Sequence, residues 1–178
     1  ELTRFLKEIN PEKVPANYTR FYERYVNENK VELTNIKINN KILHQSKLIN
    51  YFKPENTIKN ISKDLNDLLK KVKKDKKYFF SKKDVILVET LKSDGVKVSS
   101  RYDNLYKINK SEMPADIQIF INNEDMGTAM LRIVEVIGQD ELNDIDGDTM
   151  YFIINTLNQL NIDALRNKIL LKILPLKV

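Results

Sequence analysis

Apolar residues recur three and four positions apart along most of the chain, the spacing that gives a helix one buried face. The densest case is residues 148–178. Met150, Ile153, Ile154, Leu157 and Leu160 form one stripe, and Leu165, Ile169 and Ile173 form a second. Asn161-Ile162-Asp163 separates them, with Asp163 placed to cap the second helix by accepting from its free N–H groups. The pair predicts a helical hairpin that is too apolar to stand alone and suited to one layer of a larger helical stack.

The same spacing divides the rest of the chain. Leu2, Phe5, Leu6 and Ile9 form a short stripe that ends at Asn10-Pro11. Pro15 suits the first turn of a second helix, which carries Tyr18, Phe21, Tyr22, Tyr25 and Val26 with Arg20 and Arg24 among the aromatics. Residues 27–39 alternate weakly and read as an extended connection. A third helix is expected over residues 40–52, stopped by Lys53-Pro54. A fourth, capped by Thr57, carries Ile58, Ile61, Leu65, Leu68, Leu69 and Val72.

Ser81-Lys82-Lys83-Asp84 is a capping box with Asp in place of Glu. It predicts a fifth helix to Ser93, with Val85, Ile86, Val88 and Leu91 inward and Gly95 just past its end. The polar connection that follows holds Val96, Val98, Tyr102, Leu105 and Tyr106, which predicts that it packs down. Pro114 starts a sixth helix with Ile117, Phe120 and Ile121. A seventh carries Met126, Ala129, Met130, Ile133, Val134 and Ile137 and closes at Gly138.

Residues 113–137 and 149–173 match at an offset of about 36, in hydrophobic pattern rather than identity. Ile117 falls on Ile153, Ile121 on Leu157, Ile133 on Ile169, Val134 on Leu170 and Ile137 on Ile173. That length is the range of tetratricopeptide-like solenoids, although the fixed Trp, Gly and Tyr positions of the tetratricopeptide signature are absent. The expected fold is therefore all-α: eight or nine helices in antiparallel hairpins, stacked as a short right-handed α-solenoid within a single domain over residues 1–178. Four glycines and five prolines in 178 residues argue against a sandwich, a barrel or a glycine-dependent phosphate loop.

Charge changes this picture because it is unevenly placed. The net charge is +5, but residues 1–110 carry +11, residues 111–163 carry −10 and the remainder +4. A basic body followed by an acidic segment can attract itself, a neighbouring copy or two different partners. The basic part peaks at Lys70, Lys71, Lys73, Lys74, Lys76 and Lys77, followed at once by Tyr78, Phe79 and Phe80. Lysines at a helix C-terminus complement the macrodipole, and the same run can lie on phosphates. The aromatics are expected to anchor the next connection in the core. Arg20, Arg24, Lys73, Lys74, Lys76 and Lys77 are the candidate interaction residues, toward another protein or a neighbouring repeat first and nucleic acid second.

Candidate chemistry is sparse. Cysteine is absent, which removes disulfides and thiolate ligands. His44 is the single histidine and is expected to be structural or exposed. Asp144, Asp146 and Asp148 are spaced as in a calcium loop, but Thr149 and Asn155 stand where an EF-hand needs Gly and Glu. Capping of the next helix is the expected role of these acids. Glu89 and Glu135 sit in apolar helical contexts and would make a glycosidase pair only if the fold brought them together. The last helix is amphipathic, with Lys168, Lys172 and Lys177 on its polar side, and is expected to pack on the preceding one rather than on a membrane. No hydrolase, nucleotide, zincin or dinucleotide motif is present, so no catalytic, cofactor-binding or metal set is expected. No run of about 18 apolar residues predicts a transmembrane helix. The chain opens at Glu1 inside a helical pattern, which reads as a fragment or a processed chain.

PADIQIFINN, MLRIVEVIGQD, DTMYFIINTLNQLNIDALRN and ILLKILPLKV, with NNKILHQSKLINYF more loosely, resemble the C-terminal region of a group of large, uncharacterised alpha-proteobacterial proteins. The resemblance implies a helical-repeat fold and a parent protein of the periplasm or cell envelope. It implies no catalytic residue. The expected function is a non-catalytic protein-interaction or scaffold domain, with a nucleic-acid-binding helical module using residues 70–77 as the alternative.

Overall fold

A computed structural model describes residues 13–14, 37–55, 59–106, 114–123, 125–138 and 140–175. The chain divides into two units, Glu1–Ile36 and Lys37–Val178, and all the described residues but 13–14 belong to the second. The expected stripe over residues 2–9, the aromatic helix with Arg20 and Arg24, the connection up to Ile36, Thr57 and Ile58, and Lys177 lie outside the described residues.

Two 3₁₀ turns, Leu43–Gln45 and Lys47–Phe52, lead into α1 (Ile61–Lys74) and α2 (Lys82–Ser93). A third 3₁₀ turn, Ser100–Leu105, precedes α3 (Ala115–Asn122) and α4 (Met126–Ile137), and the chain continues through α5 (Gly147–Gln159) and α6 (Asp163–Ile173). No strand occurs among the described residues, which are all-helical in class.

The capping box forms as its sequence predicts. The Ser81 side chain accepts from the N–H of Asp84, and the Asp84 carboxylate accepts from the N–H of Ser81. The helix exit is equally local: the N–H of Gly95 bonds to Lys92 and that of Val96 to Leu91. This is the Schellman pattern, and Gly95 sits at φ +80° as that turn requires. Between these ends residues 84–91 of α2 are buried, apart from the half-buried Glu89. Leu87 and Thr90 are covered as completely as the expected Val85, Ile86, Val88 and Leu91. A helix covered on most of its circumference belongs inside a domain, and α2, with only Lys83, Lys92 and Ser93 exposed, is the centre of this one. Its most extensive packing is against α5, which buries Met150, Ile153, Ile154 and Leu157. The C-terminal hairpin is thus one wall around α2 rather than the organiser of the unit.

α5 turns into α6 through a second Schellman pattern. Ile162 N–H reaches the Leu157 carbonyl and Asn161 N–H reaches Asn158, with Asn161 at φ +55°. Asp163 does not cap α6. The cap position is Ile162, which makes no side-chain bond, and Asp163 is the first helical residue, 2.8 Å from Arg166. Leu165 lies at the edge of the stripe and is partly exposed.

The expected third helix is replaced by the two 3₁₀ turns, for a physical reason. The N–H groups of Leu43 and His44 bond to the Tyr78 hydroxyl and the Asp84 carboxylate, at 2.8 and 2.9 Å. Ser46 is extended between the turns and spends its hydroxyl on the Leu43 carbonyl at 2.7 Å. Connection 96–106 packs down as expected, burying Val96, Tyr102 and Tyr106. α1 holds it through Ser62 and Asn66, both of which bond to the Lys97 carbonyl.

The 36-residue offset matches the two hairpins, α3–α4 and α5–α6, but their burial differs. Ile117, Ile153, Ile133 and Ile169 are all buried, whereas Leu170 is fully buried and its counterpart Val134 is exposed. The expected inward stripe of α4 shrinks to Ala129 and Ile133, with Met126 also exposed.

Candidate interaction surface

The lysine run divides once it is folded. Lys73 donates to the carbonyl of Arg101 at 2.9 Å and lies over the Tyr102 ring, whose other neighbour is the Arg101 guanidinium. That lysine holds the third 3₁₀ turn to α1. Lys70 and Lys71 are exposed on α1, and Lys74, Lys76 and Lys77 are exposed at its end, with no ion-pair partner among the described residues. Asp75, itself exposed, accepts from the N–H of Lys77. The three aromatics that follow do not share one fate. Tyr78 is hydrogen-bonded to Asp84, Phe80 is buried, and Phe79 is 85% exposed. Phe79 corrects the expectation that all three would anchor the core.

Ser81, His44 and Asp84 gather at the start of α2, and these are the residue types of a hydrolase triad. Their order is wrong for one. His44 Nδ1 stands 2.8 Å from Asp84 Oδ1 and 3.3 Å from Ser81 Oγ, so the serine and the aspartate face the same ring nitrogen. A general base needs the nucleophile on the opposite nitrogen, and there His44 Nε2 meets the Gln45 side chain at 3.4 Å. The Asp84 carboxylate is instead a joint that collects donors from the His44 backbone and ring, the Tyr78 hydroxyl, and the N–H and hydroxyl of Ser81. Burial acts to raise its pKa, but the hydrogen bond and charge of His44 and the N–H groups of Ser81 and His44 hold it below the ordinary value. Burial pushes the Tyr78 phenol upward.

A second joint lies at the other end of α2. Arg166 of α6 is buried and forks onto both Asp94 oxygens at 2.8 and 3.0 Å. It also donates to Asn158 and Asn167. Both joints tie elements of the unit together. Nothing in helical periodicity marks an arginine on a polar face as buried, so the sequence did not disclose this residue.

The acids do not converge either. Asp146 caps α5 by accepting from Asp148 and Thr149, and the hydroxyl and N–H of Thr149 hold its carboxyl below the usual range. Asp148 pairs with Lys82 at 2.6 Å. Gly147 allows this approach, since a Cβ there would stand 3.1 Å from that of Lys82. No group of three potential metal-ligating side chains forms among the described residues. Glu89 and Glu135 line separate depressions.

What remains is the outer side of α3–α4. Seven large hydrophobic side chains are exposed among the described residues, and four of them are on this hairpin: Leu131 at 71%, Val134 at 60%, Ile119 at 55% and Met126 at 50%. Scattered exposed leucines are ordinary, whereas a concentration on one element marks a contact surface. Leu131 and Phe120 wall an open groove of about 460 Å³ between the two helices, with Asp116, Thr128, Arg132 and Glu135 around it. Arg132 bridges Asp116 at 3.2 Å and Glu135 at 2.6 Å. Asp125 caps α4, with Thr128 holding its carboxyl below the usual range. The groove is therefore apolar along its walls and net acidic at its rim.

No helix among the described residues is long and apolar enough to cross a membrane. In comparisons with family models, curated proteins and solved structures, the chain matches none.

Proposed function

We propose that Lys37–Val178 is a non-catalytic protein-interaction module, one layer of a helical-hairpin stack in an envelope-associated scaffold protein, and that it binds its partner over α3–α4. The observation that carries this reading is the exposure of Leu131, Val134, Ile119 and Met126 on one hairpin beside a groove. Leaving such side chains more than half in water forgoes about 1–2 kcal/mol each, part of which a partner surface recovers. The two buried polar clusters support it, since both are spent on joining helices. The tandem hairpins at an offset of about 36 support the stacked arrangement.

Panning a displayed library of helical peptides against the purified chain tests it. Peptides with an apolar stripe and basic flanks are expected, with affinity at least tenfold weaker for Leu131→Glu and Val134→Glu. Peptides indifferent to both changes would end this reading.

A second reading rests on Phe79, which stands exposed next to Lys76 and Lys77. An aromatic ring beside cations is also how single-stranded nucleic acid is held. Oligonucleotide affinity that falls steeply with salt, and falls again in a Lys74→Gln/Lys76→Gln/Lys77→Gln variant, would favour it.

A further inference from the structure

We propose that the partner of the α3–α4 groove is the Phe79 corner of a second copy of this chain, so that copies associate head to tail. This rests on the protein-interaction reading above and names its partner. Two surfaces of one unit carry complementary features. The corner after α1 projects an 85% exposed phenylalanine, with Lys74, Lys76 and Lys77 exposed next to it. The groove offers the walls of Leu131 and Phe120, a volume of about 460 Å³ that admits one aromatic ring, and the Asp116 and Glu135 carboxylates at its edge, which share Arg132 and leave the rim net negative.

Charge selects the pairing. Groove against groove would bring two net-negative rims together, and corner against corner would bring lysine against lysine. Corner against groove opposes the signs while burying Phe79 against Leu131. A contact between two different surfaces is heterologous, so it leaves one free corner and one free groove at the ends and continues unless it closes into a ring.

Sedimentation equilibrium of the 178-residue chain, from roughly 10 µM to 1 mM, tests this in the range where a small interface associates. The weight-average mass is expected to rise with concentration and to fall as salt is added. Phe79→Ser keeps the groove and loses the corner; Leu131→Glu keeps the corner and loses the groove. Each alone is expected to be monomeric, with a thermal midpoint like that of the wild type because both side chains are exposed. Their equimolar mixture is expected to give a heterodimer that grows no further.

A wild type that stays monomeric at the highest concentration overturns the proposal. So does a Phe79→Ser variant that still self-associates, or a mixture that does not pair. Binding of single-stranded oligonucleotide without self-association also overturns it. If displayed peptides still require Leu131 in those cases, the interaction reading stands and only the choice of partner falls.

Discussion

His44 Nδ1 lies 2.8 Å from Oδ1 of Asp84, a buried carboxylate forty residues further along the chain. The pair joins the first 3₁₀ turn to the N-terminus of α2. Asp84 is held below its ordinary pKa, so an unfolded chain binds a proton there at a higher pH than the folded one does. Its stabilisation is complete above the unfolded value of about 3.9 and is lost as pH falls through the lower folded value. Asp84→Asn replaces an acceptor with a donor among groups that all donate. It should cost about 3 kcal/mol at neutral pH, lowering the thermal midpoint by roughly 6–12 °C. Urea unfolding between pH 6 and 2 should show a shallower loss of stability below pH 4 in the variant. An unchanged slope would show that Asp84 does not carry this dependence.

Arg166 and Asp94 should behave as one unit. Arg166→Met leaves a mostly buried carboxylate with no guanidinium and should destabilise by about 3–5 kcal/mol. Burial already raises the Asp94 pKa despite the arginine beside it, so removing the cation exposes that cost directly. Adding Asp94→Asn should recover more than about 1 kcal/mol of the sum of the two single losses, read as a coupling energy from denaturant melts. Strict additivity would mean that the fork makes no net contribution.

The two Schellman turns predict opposite outcomes for opposite substitutions. Gly95→Ala meets no atom within 4 Å, yet it puts a side chain at φ +80° and should cost about 1 kcal/mol. Asn161→Gly relieves a side chain already at φ +55° and should be neutral or stabilising by up to about 0.5 kcal/mol. Thermal midpoints of the two variants decide this, and a shift in the same direction for both would contradict it.

Phe79 and Phe80 are neighbours in sequence and opposites in stability. Phe80 is buried, and its ring centroid is 6.4 Å from that of Tyr106. Phe80→Ala should cost about 3–5 kcal/mol. Phe79→Ser should stay within about 0.5 kcal/mol of the wild type. Equal losses in guanidinium melts would show that Phe79 is covered in the folded chain.

What could be read from the chain was what depends on near neighbours. The Ser81 cap, the Gly95 exit, the Asn161 break and the apolar stripes of α1, α5 and α6 are set by bonds within a few residues and by helical period. The expected third helix gives way to 3₁₀ turns where the N–H groups of Leu43 and His44 bond to Tyr78 and Asp84, some 35 to 40 residues away. Nor could periodicity find the groove, since Val134 and Leu170 hold matching places in their hairpins and only one is covered.

Local signals in the chain set the helical class, both ends of α2, the exits of α3, α4 and α5, and the division of charge, but not the start of α1, which follows Asn60 and not Thr57. Tertiary structure alone decided that α2 is the centre, that Arg166 is buried, that Lys73 is committed while Lys74, Lys76 and Lys77 are exposed, and that Phe79 faces water. Capping and period act within a turn or two of helix. Burial is conferred by whichever distant segments close over a side chain, and a one-dimensional pattern holds no record of which faces they leave open.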